Sequence, residues 1–555
     1  MPSRVKRKNF SGDLASMLAW PMLDQIPRML SQIDRNMHSP TYGCACRNHW
    51  HYGVEDIADI PMQAMALSLA LAWKMDIPDN PYYRSPMLLD WIEGMLDFTI
   101  RIQRPSGAFD EKYRGRESYT ATAFVAFCLS ETVLQLERHL SAGIRNDTKD
   151  MLNRAAQWLS RDREEPSGNA QVVAAAACMN LDELDRGLGC GEELHHLLSR
   201  LAGRQSPEGW FLEQGVADIG ETSLTHSYLA LIAKRTGDTR AMTMARRSGE
   251  FLEHFLHRDG TVGGVYGGRN TEYFIPLGAI LQMRKSDAAA RMVKHLEHHL
   301  AVGRHALITR CLDDRYLALF SPFYLLSAQA ALEAAASDAP LLKPGPPPRE
   351  TYFEAIGLWS VDTPGLKLVA NLKKGGVFHL DLGGQAFVDC GYFAEIPDGP
   401  IVTTQVVQER PDITVDGLNA RMSARLVVLK PETVSPWKNL LQRAFHLCLP
   451  AALRRPILAH LRQRAVAAAD TVGSVHRNIV VSEEAVDVTD FIEVNEPLVR
   501  MILQLDTERA HSFDASGFYQ PQELNRDGGI LPVDLEAGKV VVQRRYDADG
   551  LAVFS

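Results

Sequence analysis

The chain has 555 residues, of which 46% are hydrophobic and 23% charged. This composition is typical of a soluble globular protein, and the length predicts two domains rather than one core. The formal net charge of −9 disfavours a large polyanion such as nucleic acid as a partner.

The N-terminus is basic, with Arg4, Lys6 and Arg7, but the stretch after it is interrupted by Asp13 and Pro21. This pattern makes a poor signal peptide. The eight cysteines are scattered and lack the density of a disulfide scaffold, which favours a reducing compartment. We therefore expect a cytoplasmic protein, either free or bound peripherally to the inner membrane. A periplasmic location is the alternative.

A recurring phrase organises residues 1–340. The phrase is a tripeptide that ends in glycine and reads Pro-Ser-Gly, Pro-Glu-Gly or Arg-Asp-Gly. Its four copies end at Gly107, Gly168, Gly209 and Gly260, at intervals of roughly 50 residues. The segments between these glycines carry apolar residues at helical spacing. The pattern predicts stacked helical hairpins, and about six of them would close an (α/α) toroid whose loops gather around a cleft. An open solenoid is the alternative.

The pattern changes after the toroid. Residues 341–350 (LLKPGPPPRE) are a proline-rich linker, and residues 351–555 contain short runs of Val, Ile, Leu and Phe separated by Gly, Asp or Pro. These runs predict an antiparallel β-sandwich. The predicted fold class is therefore α+β and multidomain, with an N-terminal (α/α) toroid as the predicted catalytic domain, followed by this sandwich.

A helical insertion interrupts the predicted sandwich at residues 435–470. It is amphipathic and basic. Its cationic residues are Lys438, Arg443, Arg454, Arg455, Arg462 and Arg464. The insertion is either a helical excursion packed on the sheet or an interfacial helix that contacts an anionic membrane.

Two polar clusters fall on predicted loops in the first half of the toroid. In GCACRNHWHYGVED, Cys44, Cys46, His49 and His51 have a spacing that could ligate zinc, but imidazole and aromatic groups lining a sugar site are the preferred interpretation. The second cluster is in GAFDEKYRGRESYTATAF. It contains Asp110, Glu111, Glu117 and Tyr119 at a loop-to-helix junction, where a carboxylate could also be a simple helix cap.

Two further clusters lie later in the chain. PEGWFLEQGVADIGETSLTHSY carries Glu213, Asp218, Glu221 and His226. On one helix, Glu221 and His226 lie about 140° apart, so both cannot point into the same cleft. VGGVYGGRNTEYFIPLG carries Tyr266, Arg269 and Asn270 after a glycine-rich bend, and Arg and Asn suit recognition of carboxylates or hydroxyls.

The order of these motifs resembles the heparinase II/III-like proteins. The resemblance covers most of the chain. It is carried by HWHYGVEDIADIPMQ, GAFDEKYRGRESYTATAF, SGNAQVVAAAA, PEGWFLEQGVADIGETSLTHSYLAL, GGVYGGRNTEYFIP and KGGVFHLDLGGQAFVDCG. It implies an (α/α) toroid with a β-sandwich, and an activity on polysaccharides, here those of a bacterial surface-polysaccharide system.

The resemblance is incomplete at the residues that would carry elimination. Asn169 matches the lyase asparagine that helps to neutralise a uronate carboxylate, but Ala170 stands where the lyases have histidine. ETSLTH keeps Glu221, Ser223 and His226, with Thr225 where the lyases have their catalytic tyrosine. The reaction therefore stays open between β-elimination from a uronic acid and glycoside hydrolysis, which needs two carboxyl groups.

We expect an enzyme that cleaves a bacterial surface polysaccharide or its lipid-linked precursor. The alternative is a non-catalytic glycan-binding or assembly factor in polysaccharide biosynthesis or export. The predicted catalytic residues are Glu117, Tyr119, Glu213, Asp218 and His226. The predicted substrate-binding residues are His49, His51, Asp110, Asn169, Glu221, Tyr266, Arg269 and Asn270. The predicted partners are a glycan and, through residues 435–470, a membrane surface. No cofactor, metal ligand or nucleic-acid partner is predicted.

Overall fold

The computed structural model describes most of the chain. The described residues are 13–161, 168–211, 217–303, 312–338, 340, 342–397, 399, 401–408, 411–429, 435–448, 471–505, 507–508, 524–525, 530–534 and 538–554. They form two compact units. Unit 1 comprises residues 1–212, 221–251 and 275–344, and unit 2 comprises 213–220, 252–274 and 345–555.

The division falls inside the predicted linker, between Pro344 and Gly345. It also assigns to unit 2 two segments from the helical half of the sequence, residues 213–220 and 252–274. The predicted boundary at 341–350 did not anticipate these two segments, because their glycine-rich phrase was interpreted as another loop of the toroid.

Helices dominate the first part of the chain. The α-helices are α1 Leu14–Leu23, α2 Ile26–Gln32, α3 Arg47–Trp50, α4 Met65–Lys74, α5 Pro86–Ile102, α6 Tyr119–Leu136, α7 Ala142–Leu159, α8 Gly168–Leu184, α9 Cys190–Ala202, α10 Ile219–Thr236, α11 Thr239–Leu252, α12 Leu277–Gln282, α13 Asp287–Ala301, α14 Asp314–Ala335 and α15 Pro436–Cys448. The part of the chain that the structure describes also has short 3₁₀ helices at Ile60–Ala64, Arg186–Leu188 and Glu253–Phe255.

Serine and aspartate side chains fix several helix starts. Asp13, Ser118, Ser286 and Asp313 each accept a hydrogen bond from the backbone N–H three residues later. These bonds satisfy N–H groups that have no partner within the first turn of a helix. Ser118 thereby sets the start of α6 inside the second predicted polar cluster, between Glu117 and Tyr119.

The long helices of unit 1 close into a ring. Helix α6 packs against α4 and α8, and α14 packs against both α4 and α12. Helix α10 joins the two halves, because Arg235 donates to Glu131 of α6 and to Asn180 of α8, while Ser227 accepts a hydrogen bond from the N–H of Gly278 in α12. Helices α4, α6, α8, α10, α12 and α14 thus surround one core, and the predicted (α/α) toroid is confirmed.

Two copies of the glycine phrase share one construction, which we call the glutamine brackets. Gln103 Nε2 donates to the carbonyl of Gly107 and to a carbonyl of α7, both at 2.9 Å. Gln205 Nε2 donates to the carbonyl of Gly209 at 3.0 Å and to a carbonyl of α11 at 2.9 Å.

The glycines of the brackets cannot be replaced without strain. Gly107 and Gly209 have φ of 96° and 99°. A Cβ on either glycine would lie 2.2 Å from a backbone oxygen of the helix that its glutamine binds, which is α7 for Gly107 and α11 for Gly209. Gly168 of the predicted repeat instead begins α8, and the residues directly before it lie outside the described ranges.

Among the described residues of unit 1, two helices have the length and apolar composition of a membrane span, Tyr119–Leu136 and Asp314–Ala335. Their apolar windows are 78% and 72% buried inside the structure. Burial to this extent is the mark of core helices of the ring, so composition alone is weak evidence for a membrane role.

Unit 2 is built mainly from strands. They are β1 Glu350–Phe353, β2 Leu358–Asp362, β3 Leu366–Asn371, β4 Val377–Leu382, β5 Gln385–Glu395, β6 Ile401–Thr403, β7 Ile413–Asp416, β8 Asn419–Val428, β9 Thr471–Val481, β10 Val486–Val494, β11 Arg500–Leu505, β12 Thr507–Glu508, β13 Leu524–Asn525, β14 Ile530–Pro532, β15 Lys539–Asp547 and β16 Gly550–Phe554.

Fourteen of these strands form one antiparallel sheet in the order β1-β2-β3-β4-β5-β6-β8-β9-β10-β15-β16, with β7 on β8 and with β11 between β5 and β14. The sheet folds over itself, because distant strands share a core: Trp359 of β2 and Phe378 of β4 lie in the same buried cluster as Ile479 of β9 and Val488 of β10. Two layers around a common core are the predicted sandwich.

The insertion leaves this sheet between β8 and β9. Its first part, Pro436–Cys448, is helical as predicted, and no residue of this helix is buried. The rest of the predicted insertion, 449–470, lies outside the described residues.

Candidate functional site

A pocket of about 320 Å³ opens among the loops of unit 1. Its walls come from residues 56–60, the end of α5, the first glutamine bracket and the loop before α6. The polar residues of its lining are His49, Asp56, Arg101, Gln103, Arg104, Asp110 and Arg114. Two predicted substrate-binding residues, His49 and Asp110, thus lie at one pocket, together with three arginines that the sequence analysis did not single out.

The arginines at the pocket differ in how far they are engaged. Arg101 is held by Asp97 and by the carbonyls of Pro40 and Tyr42. Arg104 only approaches Asp110, at 3.8 Å, and Arg114 is exposed and forms no ion pair with any described residue. Two guanidinium groups are therefore available to an anionic group in the pocket.

Two buried polar atoms of the pocket form no hydrogen bond within the described part of the chain. They are Arg104 Nε and Asp110 Oδ1. The other carboxylate oxygen of Asp110 accepts from the N–H of Gly115 at 2.9 Å. A buried donor or acceptor without a hydrogen bond lowers the stability of the folded chain. A donor and an acceptor of this kind at one pocket therefore indicate a binding place for a polar ligand.

His49 has a defined tautomer at this pocket. Its Nδ1 atom lies 2.9 Å from the carbonyl oxygen of Glu55. Because a carbonyl only accepts, Nδ1 carries the hydrogen, and in the neutral ring the lone pair is on Nε2. His51 is exposed and packs edge-on against Trp50 and Tyr52, and it does not line the pocket.

The carboxylates next to the pocket form a hydrogen-bonded hub. Arg315, at the start of α14, reaches Asp59 at 2.7 Å and Glu111 at 2.9 Å. Burial raises the pKa of Asp59, an effect that Arg315 partly offsets. Sequence reasoning missed Asp59 and Arg315, although Asp59 stands within the HWHYGVEDIADIP motif.

Glu117 and Tyr119 have structural contacts in this loop. Glu117 accepts a hydrogen bond from Ser106 Oγ, and its backbone pairs with that of Asp110. The ring of Tyr119 lies 6.3 Å from that of Trp158. Neither side chain is in the lining of the pocket, so their predicted catalytic roles stay predictions.

The thiols of the first cluster do not assemble with the histidines. Cys44 and Cys46 are buried, and burial raises their pKa values to about 12 and about 11. The Cys46 thiol donates to Glu55 at 3.2 Å. Since zinc binds thiolates, protonated thiols engaged in this way do not favour a zinc site here.

Residues 221–226 are largely buried within unit 1. Ser223, Thr225 and His226 are at most 2% exposed, and Glu221 is half-buried. His226 Nε2 lies 3.3 Å from Gln282 Oε1, and burial lowers the pKa of His226 to about 4. A histidine enclosed in this way packs the ring of helices, and we assign it no proton transfer to a substrate.

The fourth predicted cluster belongs to unit 2. Lys374, between β3 and β4, is fully buried and donates to the carbonyls of Val265 and Gly267 at 2.9 and 2.8 Å and to Asn270 Oδ1 at 2.5 Å. We call residues 263–271 the lysine-held loop. It carries Arg269, which is half-buried, so the loop presents a cation on a fixed frame.

Two other predicted residues anchor this loop. The hydroxyl of Tyr266 lies 2.7 Å from His257 Nε2, and burial raises the pKa of Tyr266 well above its ordinary range. Asp218 accepts a hydrogen bond from Thr271 Oγ1 at 2.9 Å. Both side chains are buried, so Tyr266 and Asp218 stabilise the loop rather than line an open surface.

One group in the described chain has the spacing of a metal site: His257, Asp259 and His379, whose potential ligand atoms lie within 4.8 Å of one another. The fit is poor, because His257 already uses Nδ1 for Thr261 at 2.8 Å and Nε2 for Tyr266. The rings of His257 and His379 are also stacked at 3.6 Å. A metal would have to displace these contacts, and we assign none.

Two predicted site residues cannot be placed. Glu213 lies outside the described residues. Asn169 is in the first turn of α8, but its side chain is not among those described.

No protein-family model and no curated protein sequence matches this chain. Solved structures do match. A chondroitin AC lyase from Streptomyces coelicolor aligns with 90% of this chain and 69% of its own, at a TM-score of 0.54 and 12% identity. A xanthan lyase from Paenibacillus aligns with 88% of this chain at a TM-score of 0.53 and 9% identity. The chain spans 46% of the length of that lyase. The heparan sulfate lyase HepC from Pedobacter heparinus aligns with 97% of this chain at a TM-score of 0.44.

These similarities concern the fold, since the identities are low. The two structures with the higher TM-scores are both polysaccharide lyases, and both cover nearly the whole chain, as the sequence resemblance predicted. The chain therefore has the fold of these two polysaccharide lyases.

Proposed function

We propose that the chain is a carbohydrate-active enzyme that cleaves an acidic polysaccharide, and that the pocket of unit 1 binds one acidic sugar of it. The observation that carries this proposal is the pairing of His49 with Arg104 and Arg114 at one pocket. Guanidinium groups recognise a carboxylate through charge-assisted hydrogen bonds. The lyase-like fold supports the same class of substrate.

Among the two reactions, this pocket favours β-elimination. Arg104 would neutralise the uronate carboxylate, which makes the C5 proton more acidic. The lone pair on His49 Nε2 would take this proton, and the electron pair left on C5 would form the C4–C5 double bond as the C4–O bond breaks. The leaving oxygen would take up a proton from water, and His49 would return the C5 proton to the solvent. Each cleavage thus yields one unsaturated uronate end and one new reducing end.

Hydrolysis is the second candidate reaction, because Asp56 and Asp110 both line the pocket. It would need one carboxyl group to be protonated and the other ionised. Neither Asp56 nor Asp110 replaces the arginines in binding an acidic sugar. We therefore rank elimination first, with Asp110 as a partner of sugar hydroxyls.

The natural substrate is proposed to be a bacterial surface polysaccharide or its lipid-linked precursor, as the resemblance implies. The test uses acidic polysaccharides purified from the organism that encodes the chain. Incubation with the purified protein is followed by ultraviolet absorbance, which reports unsaturated uronate ends, and by an assay of reducing ends.

We expect both signals to rise together, and His49→Gln to lower the rate by roughly 10²–10⁴-fold, the range of general acid–base catalysis. His51→Gln is the matched control, because His51 is two residues away and does not line the pocket. Reducing ends without absorbance would contradict elimination and identify a hydrolase. Retained binding without either signal would contradict enzymatic function and favour the assembly factor.

A further inference from the structure

Helix α15 presents its apolar side to solvent. The exposed fractions of Trp437, Leu440, Leu441 and Leu447 are 73%, 56%, 67% and 62%. Ala444 and Cys448 complete the same stripe and are also exposed. Buried apolar stripes are the rule for helices that pack on their own domain, and no residue of α15 is buried.

The charges of this helix are arranged around the stripe. At 100° per residue, Lys438 lies about 60° from Leu441 on one side, and Arg443 lies about 40° from Leu447 on the other. Both cations are exposed. Cations at both borders of an apolar stripe can keep their charged ends in water while the stripe enters an apolar phase.

The whole insertion has one sign of charge. Residues 435–469 contain six lysines and arginines and no aspartate or glutamate, in a chain whose formal net charge is −9. A surface that attracts this basic insertion must therefore be anionic. It must also accommodate the apolar face of α15, which has a tryptophan near its N-terminal end. A bilayer with anionic headgroups has both properties, since tryptophan favours the headgroup region and basic residues are attracted to the surface potential.

We propose that α15 is an interfacial anchor that lays its apolar stripe into an anionic phospholipid surface. The chain would then be a peripheral membrane protein. The anchor is independent of the proposed cleavage reaction, because the stripe and the pocket are formed by different residues.

The test is co-sedimentation of the full chain with vesicles of phosphatidylcholine alone or mixed with phosphatidylglycerol. We expect binding only to the mixed vesicles, increasing with the anionic fraction and decreasing with salt. The double variant Trp437→Ser, Leu441→Ser should bind roughly tenfold or more weakly, because it removes two large apolar contacts with the bilayer. Its matched control is Met37→Ser, Met87→Ser, since these side chains are 74% and 56% exposed in unit 1.

A second readout reports on insertion directly. Cys448 is exposed on the stripe, whereas the other described cysteines are buried. Cys311 lies outside the described residues, so it is first replaced by serine, and an environment-sensitive fluorophore is then attached to Cys448. We expect its emission to shift to shorter wavelength with mixed vesicles and to stay unchanged with phosphatidylcholine.

Three outcomes would overturn the anchor. The first is equal binding of the stripe variant and its control. The second is equal binding to both vesicle compositions. The third is a dimer of the wild type that dissociates in the stripe variant without vesicle binding, which would assign the stripe to a second copy of the chain.

Discussion

Lys374 Nζ donates a hydrogen bond of 2.5 Å to Oδ1 of Asn270, a residue whose backbone is left-handed, with φ of 55°. Left-handed backbone is unfavourable for a residue with a side chain, so this bond helps to hold a strained position. The same ammonium group binds two loop carbonyls. One buried cation thus fixes the lysine-held loop around Arg269.

Lys374→Met should loosen this loop. The substitution leaves three acceptors without their donor, and we expect the free energy of unfolding to fall by about 2–4 kcal/mol. Hydrogen exchange of residues 263–271 should accelerate. Lys373→Met is the neighbouring control, because Lys373 is partly exposed and its ammonium group donates, among the described residues, only to the carbonyl of Ala355. Equal protection of the loop in both variants would refute the role of Lys374.

Arg104→Gln should weaken substrate binding and slow turnover together. The loss of a charge-assisted bond to the sugar carboxylate should raise KM, and kcat should fall roughly 10²–10³-fold because the C5 proton is then less acidic. Affinity measured by calorimetry with an acidic oligosaccharide should become less sensitive to salt. Arg246→Gln, which removes an exposed arginine paired with Glu250, should leave binding unchanged. An unaltered KM in Arg104→Gln would exclude this arginine from the substrate site.

His226 should make unit 1 sensitive to mild acid. Burial lowers its folded-state pKa from 6.5 to about 4, so its stabilising contribution is complete above pH 6.5 and is lost as the pH falls towards 4. The corresponding free energy is on the order of 3 kcal/mol. The melting temperature of His226→Gln should therefore change less than that of the wild type between pH 7 and pH 4.5. His51→Gln should follow the wild-type profile, and parallel profiles for His226→Gln would show that His226 is not the sensitive group.

The sandwich contains a buried ion network that should also limit stability in acid. Arg477 Nε lies 2.7 Å and Arg544 Nη2 lies 2.6 Å from the carboxylate of Asp490, and all three side chains are fully buried. Burial alone would raise the pKa of Asp490, but the two guanidinium groups offset this effect and hold the pKa below its ordinary value.

Asp490→Asn should therefore destabilise unit 2 by about 3–5 kcal/mol, because two buried cations then share only the carboxylate of Asp389. In the wild type, the contribution of Asp490 is complete above its unfolded pKa of about 4 and is lost as the pH falls further. Asp487→Asn, at an exposed pair with Arg545, should cost at most about 1 kcal/mol. Thermal unfolding of both variants measures the difference, and equal stabilities would contradict a structural role for the network.

The sequence predicted the fold well because its signals are local. Helical periodicity between the glycines and short β-branched runs after the linker both reflect which face of an element is buried. The assignment of residues 252–274 to unit 2 was not predictable in this way. It depends on Lys374 and Asn371, which bind the segment from more than a hundred positions away.

The candidate site was predicted in part. His49 and Asp110 were found because polar residues in loops of a toroid gather at one face. Arg104 was not predicted, because it stands directly before the glycine phrase at Pro105 and belongs to none of the predicted polar clusters. His226 was expected in a cleft, but its side chain faces Gly249 and Gly278, where a missing Cβ makes room for the ring. Such packing between helices leaves no trace in the spacing of one sequence.

The first glutamine bracket serves both the frame of the toroid and its pocket. Gln103 and Arg104 line the pocket from within the bracket, whereas Asp110 and Arg114 come after Gly107. Part of the lining is therefore held by the hydrogen bond of Gln103 to α7, and part of it is carried by the loop between Ala108 and Ser118. Substrate preference in this scaffold would change first in that loop, around an acidic-sugar contact at Arg104 that the frame keeps in place.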